Sequence, residues 1–131
     1  MATITGAHHV ALTVTDVERS LRWYQDLLGL QVVMQGDDDT VRFRVLAHPS
    51  GWIMGLRQYV GKEGAAFDEF RTGLDHLAFT VSSRDDLEAC AAELAERGVE
   101  FSPIAETPIG TVIVFRDPDN IQLEFWLPAG S

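Results

Sequence analysis

Cysteine is almost missing from this chain: Cys90 is the single one in 131 residues, so no internal disulfide can form. A reducing compartment fits that composition. Positive charge is scarce as well. Ten Lys and Arg stand against 20 Asp and Glu, giving a formal net charge of −10, and no basic run makes a local exception. Phosphate-rich partners are disfavoured by this balance, so no nucleic acid ligand is expected. No apolar run approaches the roughly 18 residues of a membrane span. The polar start Met1-Ala-Thr-Ile-Thr-Gly6 also lacks the basic-then-apolar order of a secretory signal. The expectation is a cytoplasmic protein with no membrane contact. Gly and Pro are scattered rather than clustered and 46% of residues are apolar, which excludes disordered and fibrous classes and suits one globular domain.

The chain does contain an internal echo. His9-Val-Ala-Leu-Thr-Val14 is answered by His76-Leu-Ala-Phe-Thr-Val81, an interval of 67 residues, while Gly29 to Gly98, Pro49 to Pro118 and Gly55 to Glu124 are each 69 apart. One duplicated unit explains all four intervals. Two imidazoles and a carboxylate, His9, His76 and Glu124, are a metal-ligand set.

Each half orders its signals as strand, helix, then strands. Residues 8–14 alternate, with His9, Ala11 and Thr13 on one side and Val10, Leu12 and Val14 on the other; residues 75–81 do the same around His76. Thr15-Asp-Val-Glu18 fits a capping box that opens a helix bearing Val17, Leu21, Tyr24 and Leu28 and stopped by Gly29. Ser82 and Asp85 open the second helix, whose stripe of Leu87, Cys90, Ala91 and Leu94 ends at Gly98. Extended segments follow around 31–34, 41–46 and 52–58, matched by 99–102, 111–116 and 121–127. The last two of each set meet at His48-Pro-Ser-Gly51 and Asp117-Pro-Asp-Asn120, which are turn-forming sequences. Both halves therefore read βαβββ, module 1 over about 6–60 and module 2 over about 74–128. The connection 61–73 has no clear period and reads as a linker or a flap.

These motifs, with Arg22-Trp-Tyr-Gln-Asp-Leu-Leu-Gly29 and Phe115-Arg-Asp-Pro-Asp-Asn-Ile-Gln-Leu-Glu124, resemble those of the vicinal oxygen chelate superfamily, which includes glyoxalase I, extradiol dioxygenases and bleomycin-resistance proteins. The resemblance covers almost the whole chain. It implies an α+β fold of two βαβββ modules whose mixed sheet forms a cup with helices packed outside. It also implies a divalent metal ion, Fe, Mn, Ni or Zn, held by His9, His76 and Glu124, and a homodimer in which one chain or two complete each site. Such a metal leaves positions open for neighbouring substrate oxygens.

Departures from better-known members narrow the chemistry. Glyoxalase I and methylmalonyl-CoA epimerase place a fourth ligand where Gly55 stands here, which argues against lactoylglutathione lyase activity. Catechol-cleaving extradiol enzymes carry a further histidine and a tyrosine upstream of the final glutamate, where this chain has no histidine and Val114. Fosfomycin-resistance transferases surround the triad with cations that this acidic chain lacks. If Glu124 faces inward, Gln122 and Trp126 share its side by alternation, and Ile53, Gly55 and Arg57 form the matching row. Trp52, Tyr59 and Phe115 stand close by as further flat surfaces, and Arg57 suits an acidic or phenolate oxygen. The wall favours a small extended or aromatic molecule.

Two functional classes follow. The first is a metalloenzyme, with dioxygenase-type chemistry ahead of lyase or isomerase chemistry because three protein ligands leave room for substrate and dioxygen. The second is a bleomycin-resistance-like protein that sequesters an antibiotic or other toxic small molecule without catalysis. Other candidate residues have plainer readings. His8 points away from His9 and is structural, His48 lies in a solvated turn, Cys90 is a small buried hydrophobe, and Asp37-Asp-Asp39 is a solvated loop.

Overall fold

The alternation that begins at His9 becomes the strand β1 (His9–Thr13) in a computed structural model that describes all 131 residues. Two units follow one another, Met1–Ala65 and Ala66–Ser131. The first holds β1, α1 (Val17–Leu28), β2 (Gln31–Asp37), β3 (Val41–Ala47) and β4 (Ile53–Tyr59). The second holds β5 (His76–Thr80), α2 (Arg84–Glu96), β6 (Ala105–Thr107), β7 (Gly110–Arg116) and β8 (Gln122–Pro128). Each unit is a four-stranded mixed sheet with one helix, in the orders β1-β4-β3-β2 and β5-β8-β7-β6. First and last strands pair in parallel and the other neighbours antiparallel. The α+β class and the two βαβββ modules are thus observed. The duplication extends to register, since Ala11 pairs with Gly55 and Ala78 with Glu124.

Strand alternation decides which side chains each helix covers. In the first unit Leu12, Leu46, Met54 and Leu56 are buried with Val17, Leu21 and Tyr24 of α1. In the second, Ile113, Phe115, Leu123 and Phe125 are buried with Leu87 and Leu94 of α2. Fully buried side chains of this size contribute roughly 1.5–3 kcal/mol each. The opposite faces are left to His9, Ala11 and Thr13 in one unit and to His76, Ala78 and Thr80 in the other, all exposed.

Three boundaries differ from the sequence reading. The N-cap of α1 is Asp16 rather than Thr15, its carboxylate accepting from the Arg19 N–H at 3.1 Å. Ser83 rather than Ser82 caps α2, accepting from the Asp86 N–H at 3.1 Å. Adjacent capping residues compete at both starts, and the winner is the one whose oxygen reaches the third residue on. The strand expected at 99–102 is reduced to one bridge between Phe101 and Phe115, and pairing resumes only at β6. Pro103 has no N–H for a ladder. Just before it, Ser102 substitutes locally, its N–H donating to the Val114 carbonyl and its Oγ accepting from the Val114 N–H, both at 2.9 Å.

The connection 61–73 forms no helix or strand, yet its second half is tied down within the second unit. Phe67 N–H donates to the Asp119 carbonyl at 2.7 Å, Asn120 Nδ2 donates to the Phe67 carbonyl at 3.1 Å, and Arg116 pairs with Glu69 at 2.9 Å. No helix is long and apolar enough to cross a membrane.

A buried arginine accounts for the first acid of the run at 37–39, and Asp37 ends β2 rather than lying in a solvated loop. Arg44 lies on the covered face of β3, only 5% exposed, and pairs with Asp37 at 2.7 Å and with Glu18 of α1. Asp38 instead shapes the β2–β3 turn, accepting from the Thr40 and Val41 N–H groups. The Arg44 guanidinium holds the Asp37 carboxyl below its ordinary range. A group lowered in the folded state stabilises above its unfolded pKa, about 3.9, and that stabilisation is lost as pH falls through the lowered folded value. Asp37→Asn is therefore expected to flatten the acid side of the stability profile. The check is chemical denaturation at pH 6 and pH 3, where the wild type should lose more stability than the variant.

Candidate metal and ligand site

The second unit brings its histidine and its glutamate together. His76 on β5 pairs with Gln122 in register, and Glu124 lies one step further along the same face of β8. His76 Nε2 stands 3.5 Å from Glu124 Oε1. Glu124 is 6% exposed, and both its oxygens accept neutral hydrogen bonds, from Trp126 Nε1 to Oε1 at 2.7 Å and from Gln122 Nε2 to Oε2 at 2.8 Å. No arginine or lysine pairs with it. A buried carboxylate without a countercharge is costly.

Asp75, a residue the sequence reading passed over, completes this cluster. Its Oδ1 lies 2.8 Å from His76 Nδ1. A carboxylate only accepts, so His76 Nδ1–H donates to Asp75 and the ring presents its Nε2 toward Glu124. A ring nitrogen and a carboxylate oxygen so placed have the geometry to share a proton or a metal cation. A carboxylate behind a ligating histidine is a common device for fixing ring orientation. The signal was in the sequence, an acid directly before the histidine, but only strand-end geometry turns it back onto the ring.

In the first unit the corresponding face carries an open groove of about 220 Å³. His9, Ala11, Ile53, Gly55 and Arg57 line it, with Met34, Phe43 and Val45 contributing apolar walls. Gly55 occupies the Glu124 position without a side chain, and a Cβ there would approach Ala11 Cβ to 3.3 Å. At the far end the Arg57 guanidinium carbon lies 5.6 Å from the Phe43 ring centre and 5.7 Å from that of Tyr59, and Arg57 Nε donates to Tyr59 Oη at 3.1 Å. Gly36 permits this, because a Cβ would fall 2.6 Å from the Phe43 ring.

Some residues sit elsewhere than expected. Phe115 is a core residue and no wall: it is 2% exposed and stacks on Phe125 at 4.8 Å. It pairs with Leu123, one step out of phase with Glu124, and so faces α2. Trp52 stacks on His48 at the β3–β4 turn, 5.1 Å between centres, outside the groove lining. His8 lines the groove beside His9, with their Nδ1 atoms 2.8 Å apart, instead of pointing away. The reason is that β1 begins at His9, so strand alternation does not govern its predecessor. Burial pushes the Cys90 thiol up, against any nucleophilic role. No group of three or more His, Cys, Asp and Glu side chains gathers as a metal-binding set. His76 and Glu124 converge in the second unit, and His9 belongs to the first.

Similarity to known proteins agrees with this construction. Residues 6–125 match the model of the glyoxalase/bleomycin resistance protein/dioxygenase superfamily. The crystal structure of a glyoxylase/bleomycin resistance protein/dioxygenase domain from Frankia sp. EAN1pec superposes with a TM-score of 0.90 at 41% identity, covering 96% of this chain and 99% of that one. Lactoylglutathione lyase of Haemophilus influenzae is 30% identical over 122 residues, 89% of this chain and 88% of that protein. A manganese-dependent 2,3-dihydroxybiphenyl 1,2-dioxygenase from Geobacillus genomosp. 3 is 28% identical over 129 residues, 95% of this chain but 37% of that protein. With matching topology, a repeated register and a family model spanning nearly its full length, the chain belongs to the glyoxalase/bleomycin resistance protein/dioxygenase superfamily.

Proposed function

We propose that the chain is a divalent-metal-dependent enzyme acting on a small, flat molecule with neighbouring oxygens, and that His76, Glu124 and His9 hold the metal, an Fe, Mn, Ni or Zn ion. The observation that carries this reading is the buried Glu124 carboxylate, which faces His76 Nε2 with no arginine or lysine paired to it. Bound there, the ion supplies Lewis-acid capture of vicinal oxygens and stabilises charge that develops on them. Asp75 orients the His76 ring, while Trp126 and Gln122 fix the carboxylate. The groove along β4 takes the body of the substrate, and Gly55 offers no fourth ligand or base. Three ligands leave room for substrate and dioxygen, so dioxygenase-type chemistry is favoured over lyase or isomerase chemistry. The working form is a homodimer.

The test is metal content of protein purified without chelator, followed by anaerobic titration with Fe(II), Mn(II), Ni(II) and Zn(II). One ion per chain supports the enzyme. A second reading, sequestration of a toxic small molecule, is favoured by one observation: the apolar-walled groove lies wholly within the first unit. Persistent metal-free protein that still binds aromatic ligands selects that reading.

Trp126→Phe removes one hydrogen bond to Glu124 and keeps an aromatic ring. Outer partners of metal ligands are worth about 10–100-fold in affinity, so the variant is expected to bind Mn(II) about tenfold more weakly. Competition against a calibrated chelator measures it, and unchanged affinity removes Trp126 from that role.

A further inference from the structure

We infer that the groove of the first unit selects ligands carrying an oxyanion at the end opposite His9, with Arg57 as the residue that sets this specificity. The inference rests on the groove being the substrate site proposed above. Its near neighbours on the sheet, Arg42 and Arg44, are committed to Asp37 and Glu18. Arg57, in a chain with twice as many acids as bases, has a phenol oxygen and two ring faces as partners and no ion pair. Asp38 feels its charge but spends Oδ1 on the Thr40 and Val41 N–H groups. With Nε on Tyr59, the two terminal nitrogens of the guanidinium remain as a fork suited to a carboxylate or similar oxyanion.

Register supplies the ligand's length. His9 pairs with Ile53 and Thr13 with Arg57, so the groove runs along four residues of strand, about 13 Å. Between its ends the floor is Ala11 and Gly55, without bulk, and Phe43 and Val45 stand at the side. A flat apolar body fits that stretch. The same cation argues against a positively charged guest, although the chain as a whole is acidic.

The probes are 2-naphthylacetate, its uncharged amide and 2-(2-naphthyl)ethylamine, titrated calorimetrically into metal-free full-length protein. The carboxylate is expected to bind about tenfold more tightly than the amide and the amine most weakly. Arg57→Gln should erase the preference for the carboxylate over the amide, and Arg57→Lys should restore part of it. Wild-type backbone amide shifts induced by the carboxylate should centre on Gly55 and Arg57. Equal affinity for carboxylate and amide, tightest binding of the amine, no binding of any probe, or a preference that survives Arg57→Gln each overturns the inference. Metal stoichiometry is read separately on Arg57→Gln, which leaves His9, His76 and Glu124 intact. A metal-free protein that prefers the carboxylate sinks the metalloenzyme and keeps Arg57, and a metal-loaded protein without the preference does the reverse.

Discussion

Glu124→Ala is expected to abolish stoichiometric divalent-metal binding, weakening it by more than about a hundredfold, because outer partners alone are worth about 10–100-fold and this residue is a ligand in the proposed set. His76→Ala should match it. The two variants differ in what they leave behind. Removing Glu124 strands the Trp126 N–H and one Gln122 donor in a half-buried pocket, while removing His76 frees the exposed Asp75 carboxylate to water. Stranding those donors costs about 1–2 kcal/mol, but Glu124→Ala also sheds the cost of the carboxylate without a countercharge, so both apoproteins should stay near wild-type stability. Metal analysis after gel filtration and urea denaturation of the apoproteins separate these effects. Retention of one tightly bound ion in either variant removes that residue from the ligand set.

Gly110→Ala is expected to destabilise the fold by about 2–4 kcal/mol, with no direct effect on the site. Gly110 opens β7 with φ 148°, a backbone conformation that side chains rarely adopt, and it is buried. A Cβ there would collide with the Leu127 carbonyl oxygen and lie 3.1 Å from Pro128 Cα, both backbone atoms of β8. Neither neighbour can rotate away. A lower urea midpoint at unchanged m-value is the expected signature, and a change below about 0.5 kcal/mol, the scatter of ordinary surface substitutions, contradicts it.

Gly110 also illustrates what local sequence hides. The repeat intervals were legible because duplication preserves register: the match of His9 to His76 and of Gly55 to Glu124 reappears as the pairing of Ala11 with Gly55 and of Ala78 with Glu124. Helix stripes and the glycine stop at Gly29 were equally local signals. The misses came from competition or distance. Paired capping residues blurred each helix start by one position, and Pro103 broke a strand that the repeat alone would have continued. Phe115 has the composition of a pocket wall, but its register partner Leu123 turns it into the core. The Gly36–Phe43–Arg57 row spans three strands, so no window of sequence displays it. The same holds for Arg44, whose burial depends on Glu18 and Asp37 arriving from other elements.

Pulsed EPR of the Mn(II)-loaded protein, counting imidazole nitrogens coupled to the ion, addresses the proposed centre most directly. Two coupled imidazoles are expected in the wild type, falling to one in His9→Ala and to one in His76→Ala. A spectrum without coupled imidazole, or a count that neither substitution changes, contradicts the proposed centre.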